Sequence, residues 1–117
     1  MMSGEHDLHM LLAAIRPKLQ PEKYVFCTVE SEYTLPQGLS PRCIFREAEG
    51  TTVIVTKQDA ERLSLSYQYV SRMITLNVHS SLEAVGFLAA VTSKLAEHGI
   101  SVNPVSAYYH DHLFVAS

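Results

Sequence analysis

The densest chemistry in this sequence lies at its end, in "SAYYHDHLFVAS", residues 106 to 117. His110, Asp111 and His112 could ligate a metal or move protons, and Tyr108 and Tyr109 add two rings and two hydroxyls. His-x-His with one carboxylate is a sparse donor set, because a structural zinc takes four ligands. His79 is the one further donor that suits it. Asp favours turns through side-chain hydrogen bonds to its own backbone. The stretch therefore predicts a hairpin with Asp111 at its tip and His110 and His112 on opposite strands. No metal is expected there, and a contact from His110 to a small molecule is the functional alternative. One of the two tyrosines is expected in the core, the other over a surface.

A second constellation is "VHSSLEAVG". Ser80 followed by Glu83 is a capping box, which predicts a helix from Ser80 to Gly99, with Gly99 as its C′ glycine. Free N–H groups at a helix start can hold a carboxylate. Glu83 could meet an ammonium group there, and Gly86 lacks the side chain that would keep a ligand away. Asn103, just before Pro104, interrupts an apolar strand. It reads as a bridge to a loop or a ligand contact, on an edge or a bulge, since Pro104 cannot donate to a ladder. His79 beside Ser80 and Ser81 has no acid to orient it as a catalytic pair, and Glu47 and Glu49 flank a turn. Nothing resembles a phosphate loop or a paired-carboxylate site, so no enzyme activity and no cofactor are expected.

The elements that position these residues follow from pattern. "HDLHMLLAAIRPKL" has helical apolar spacing through Leu8, Leu11, Leu12, Ile15 and Leu19, with Pro17 ending or kinking the helix. "KYVFCTV" reads as a strand. "PRCIFREAEGTTVIVT" reads as two strands around a turn at Ala48 to Gly50. Thr56 and Asp59 cap a short helix, and "YVSRMITLNVHS" is a long strand. The helix after Ser80 carries the stripe Leu82, Val85, Leu88, Val91, Thr92 and Leu95, and two final strands flank the quoted turn. A helix between "MITLNV" and "ISVNPV" makes a β-α-β crossover, with a hairpin after it.

Composition bounds the rest. The chain has 117 residues, 47% of them hydrophobic, enough for one small domain or two packed halves. Nine basic and twelve acidic residues give a net charge of -3. Without a basic cluster, neither nucleic acid nor an anionic membrane is an expected partner. No apolar run is long enough to span a bilayer and the N-terminus lacks a signal pattern, so a cytoplasmic protein is expected. Cys27 and Cys43 sit in strand-like contexts without CxxC spacing and read as free buried thiols.

The segment "ITLNVHSSLEAVGFLAAVTSKLAEHGISVNPVSAYYHDHLFV" resembles an ACT domain, a small regulatory module that often binds amino acids. Glu83 stands at that family's acidic position, Gly86 at its glycine, and Gly99, Ile100 and Asn103 in its "Gly-Ile" and Asn register. Val85 replaces the usual proline. "EKYVFCTV", "FREAEGTTVIV", "RMITLNVHSSLEAVG" and "AYYHDHLFV" are similar to small stand-alone bacterial ACT-like proteins whose role is unassigned. The resemblance implies an α+β, ferredoxin-like βαββαβ sandwich, with helices on one face of a mainly antiparallel sheet. It implies two intertwined ACT-like halves, an irregular one over 1–70 and a second over 71–117 that lacks the last helix and strand. The chain stops right after a strand, so it is shortened, or its N-terminal elements or a partner cover the open face and edge. The resemblance also implies a likeness in function: a homodimer binding an amino acid through His79, Ser80, Ser81, Glu83, Gly86, Asn103, Tyr108 and His110. The alternative is a structural or protein-interaction module with no small-molecule ligand.

Overall fold

In the computed structural model, residues 17–77 and 86–117 are described. Strand β1 (Lys18–Val29) leads through a 3-10 turn at Glu32–Thr34 to β2 (Cys43–Arg46) and β3 (Thr51–Thr56). Helix α1 (Lys57–Arg62), β4 (Gln68–Leu76), α2 (Phe87–Glu97), β5 (Val102–Ser106) and β6 (Asp111–Ala116) follow. The helix expected over 6–19 lies outside the described residues up to position 16. Beyond it the expectation is corrected, because Lys18 already opens β1 and Leu19 is an exposed strand residue. Pro17 and Pro21 explain this: each lacks an N–H, and the residue before a proline is pushed out of the helical region.

The chain folds as two compact units. One holds Pro21–Arg72 with Ser117; the other gathers residues 1–20 with Met73–Ala116. In the first, the strand order is β2-β3-β1-β4, with β3 antiparallel to both β2 and β1. The β3-α1-β4 crossover therefore has β1 inserted between its strands. Alternation along β1 and β3 sends Val25, Cys27, Val53 and Val55 to one face, where Ala60 of α1 completes a buried cluster. Thr56 caps α1 by accepting the Asp59 N–H at 3.2 Å. On the other face Ser71 Oγ, fully buried, donates to the Tyr24 carbonyl at 2.9 Å. Paired Glu47–Gly50 backbone hydrogen bonds close the β2–β3 hairpin around Ala48 and Glu49. Gly50 is required there for space, since a Cβ would stand 3.1 Å from Thr28 Oγ1 and 3.2 Å from the Val29 carbonyl. Cys27 is buried, whereas Cys43, on β2, is only half-buried, and both are free thiols.

In the second unit β6 lies between β4 and β5, so the β4-α2-β5 crossover is split by an inserted strand. β5 is antiparallel to β6 and occupies the edge, which is where Pro104 does no harm. Phe87 and Val91 of α2 close over Leu76, Leu113 and Val115, with Ile74, Leu88, Leu95 and Val102 at the margin. The opposite faces of the same strands bury Met73, Thr75 and Phe114. The expected helix from Ser80 is corrected at its described start. It begins at Phe87, because Gly86 is the N-cap with φ 86° and ψ -16°, far from the roughly -63° that a continuous helix needs. Its end matches expectation: the Ile100 N–H reaches the Leu95 carbonyl at 3.1 Å and the Gly99 N–H reaches Ala96 at 2.9 Å, around a left-handed Gly99.

Candidate functional site

The second unit places the chemistry-bearing residues. The Ala107 N–H donates to the His110 carbonyl at 3.0 Å, so the hairpin tip is Tyr108–Tyr109. Asp111 is instead the first residue of β6, opposite Ser106. This corrects the expected turn. His110 and His112 stand two apart on one arm and face the same side, with ring centroids 6.2 Å apart and planes at 84°. The tyrosines do not divide between core and surface. Tyr108 is 72% and Tyr109 67% exposed, and their rings meet edge to face at 4.9 Å. A tight tip offers no cover for either ring, so they shelter each other.

His112 is anchored from behind. Its Nδ1 shares a 3.0 Å hydrogen bond with Thr75 Oγ1, which also accepts from Gln20 Nε2 at 3.1 Å. The sequence reading missed this chain. Its only trace was Thr75 alternating with the apolar Ile74 and Leu76; the partners became visible only in the strand order. His110 differs: its Nδ1 is buried and has no hydrogen-bond partner among the described residues. An unsatisfied buried polar atom costs about 1–3 kcal/mol. Among the described residues no group of three or more His, Cys, Asp or Glu side chains could hold a metal.

Topology gathers some of the expected residues and separates others. The Thr75–His112 bond sets the end of β4 beside the start of β6, and the β5–β6 register brings the end of β5 there too. Helix α2 spans about 16 Å and β5 about 17 Å at ordinary rises. The last turn of α2 feeds the start of β5, so its opening at Gly86 lies toward the hairpin end. Gly86, Tyr108 and His110 thus collect at one end of the unit. Asn103, exposed and paired with Phe114, sits about 10 Å along β5 from Ser106. No hydrogen bond joins Gly86, Asn103, Tyr108 and His110 to one another among the described residues. An added Cβ at Gly86 meets nothing within 4 Å. His79, Ser80, Ser81 and Glu83 lie outside the described residues.

Two family models, each described as an ACT domain, match residues 3–72 and residues 68–117. A Vibrio cholerae protein of unknown function, described as a possible transport protein, has a similar solved structure. It is 44% identical over 98% of this chain and 88% of its own, with a TM-score of 0.84. An Agobacterium tumefaciens protein is 19% identical with a TM-score of 0.71, covering 88% of this chain and 78% of its own, a likeness of fold alone. No protein of curated function matches.

Proposed function

Because this chain belongs to the ACT domain family, whose members generally bind ligands and regulate, we propose that it is a non-catalytic regulatory protein that binds an amino acid. The reading includes two ACT-like halves, over 1–70 and 71–117, and a cytoplasmic location; among the described residues no helix is long and apolar enough to cross a membrane. The ligand docks at the end of the second unit where α2 opens beside the Tyr108–His110 turn, with the 79–83 segment completing the contacts. The observation that supports this most is the buried His110 Nδ1, without a hydrogen-bond partner among the described residues, next to two exposed tyrosine rings. A ligand polar group there removes an existing penalty.

A thermal-shift screen of the twenty amino acids tests it. A ligand present at 100 times its Kd adds about 2.7 kcal/mol. We expect one amino acid, or a small related set, to raise the Tm of the parent and to lose that effect in His110→Ala. A flat screen sinks the reading. Gly86→Ala is expected to lower stability by about 1 kcal/mol, because its left-handed backbone strains any residue with a Cβ. Chemical denaturation checks this; a gain in stability, as helix propensity alone would give, is the contrary result.

The protein also pairs with a second copy. Edge strand β2 carries Ile44 and Phe45, the latter 66% exposed, an apolar edge that invites strand pairing. Sedimentation at micromolar concentration should return a dimer that Phe45→Glu splits. A monomer in the parent contradicts it.

A further inference from the structure

Each unit ends in an outer strand, β2 in the first and β5 in the second, and the two differ in what they offer. In an antiparallel ladder, hydrogen-bonded and non-bonded pairs alternate. The Ala107 N–H bonds to the His110 carbonyl, and the same register sets Pro104 opposite Leu113. Val102, Pro104 and Ser106 therefore turn their backbone groups outward, and the middle one has no N–H to give, which blunts that edge. On β2 the paired Glu47–Gly50 bonds set the alternation. Phe45, opposite Thr52, and Cys43, opposite Ile54, bond to β3. Ile44 and Arg46 turn their N–H and C=O groups away from β3. The Phe45 side chain stands on the face away from α1, because Thr52 alternates with Val53 and Val55 of the α1 cluster, and it is 66% exposed.

We propose that β2 pairs antiparallel with β2 of a second copy, in the register that sets Ile44 opposite Arg46 of the other copy and puts the two Phe45 side chains on the two-fold axis. This rests on the dimer reading above and fixes its geometry. Only the outward residues, Ile44 and Arg46, can bond across the dyad, so three registers compete. Setting Arg46 opposite Arg46 brings like charges face to face, which is destabilising. Setting Ile44 opposite Ile44 brings Arg46 opposite Arg42, again two cations, and the Arg42 N–H is already given to the Ile54 carbonyl at 2.7 Å. The third register uses both outward residues of each copy. It places Glu47 opposite Cys43 and Arg42 opposite Ala48, so no like charges meet directly, and Arg46 keeps its own salt bridge to Glu32. It also sets Phe45 against Phe45 at a non-hydrogen-bonded position, where Cα atoms are about 4.5 Å apart and side chains lie closest. Of the two outer strands only β2 can be extended, so the assembly closes at two copies instead of growing into a filament.

Sedimentation of the full chain first establishes the dimer, and two measurements then read its register. Amide hydrogen exchange by NMR needs no variant. Between dilute monomer and concentrated dimer, the Ile44 and Arg46 amides should slow by about tenfold or more as they gain partners. The Phe45 amide, bonded to β3 in both states, should change far less. Cross-linking is the second measurement, in a chain carrying Cys27→Ala and Cys43→Ser. Phe45→Cys should oxidise to a disulfide-linked dimer, because a separation of about 4.5 Å lies within the roughly 4.4–6.8 Å that a disulfide spans between Cα atoms. Ile44→Cys or Arg46→Cys alone should link at least about tenfold more slowly, since each meets its own copy only on a diagonal of about 7–8 Å. Mixed together, those two chains should link readily. A monomer in sedimentation overturns the dimer reading and this proposal with it. A dimer whose Ile44 and Arg46 amides ignore concentration, or in which Ile44→Cys links as fast as Phe45→Cys, overturns the register and leaves the dimer standing.

Discussion

Leu113→Ala is expected to lower the unfolding free energy by about 3 kcal/mol, within the range of about 2–5 kcal/mol for truncating a buried leucine. Leu113 is 1% exposed and packs with Leu76, Phe87, Val91 and Val115. It is held on both flanks, because Phe87 and Val91 sit on a helix pinned by its C-terminal turn, and Leu76 lies on the neighbouring strand β4. A site built this way cannot collapse into the space left by the side chain, so the cavity penalty adds to the lost transfer energy. Leu113→Met, which keeps the volume, should cost less than about 1.5 kcal/mol. Urea denaturation of the three chains measures both. A Leu113→Ala chain within 1 kcal/mol of the parent would mean that α2 does not close over β6 as described.

The second large effect is in the reactivity of Cys27. The thiol is 5% exposed, within the cluster that α1 completes. In a Cys43→Ser chain, labelling by an aromatic disulfide should run at least about a thousandfold slower in buffer than in strong urea. The reagent must wait for an opening, and a domain stable by about 5 kcal/mol opens fully about once in several thousand visits. A rate within tenfold of the unfolded chain would place Cys27 at the surface. Burial also fixes the pH dependence. It pushes the Cys27 and Cys43 thiols up from their ordinary 9.0. Tyr24 is raised from 10.0, first by burial, although the Arg42 guanidinium beside it pulls the other way. These groups stay neutral in the fold longer than in the unfolded chain. Their contribution is complete below about pH 9 and is lost as pH rises through the raised values. Stability should therefore fall above about pH 9, and Cys27→Ala should make that decline shallower.

The strands were legible in the sequence because their signal is local. Alternation in "KYVFCTV" and "TTVIVT" set which side chains share a face, and the cluster of Val25, Cys27, Val53 and Val55 follows from that period of two. Thr56 as cap of α1, Gly99 as the stop of α2 and Pro104 on an edge were legible for the same reason: each depends on one residue's own backbone or missing N–H.

What the sequence could not supply were facts that depend on which strands meet. The centre of the last hairpin shifted from Asp111 to Tyr108–Tyr109, because the β5–β6 register pairs Ser106 with Asp111 and leaves only two residues to turn. That register is chosen by Leu113 and Val115 facing α2, a tertiary demand. Gly86 carries a helical neighbourhood in sequence, yet takes a left-handed φ at the start of α2. Tyr69 holds φ 60° within β4, beside the Phe26 ring at 5.7 Å, a backbone state that no tyrosine favours alone. The His112–Thr75–Gln20 chain joins residues up to 92 positions apart, and the candidate ligand end exists only because β6 is inserted between β4 and β5. Period and capping act over a few residues and can be read in order. Registers and sites are settled by burial competing across the whole unit, and no short stretch of the chain encodes that competition.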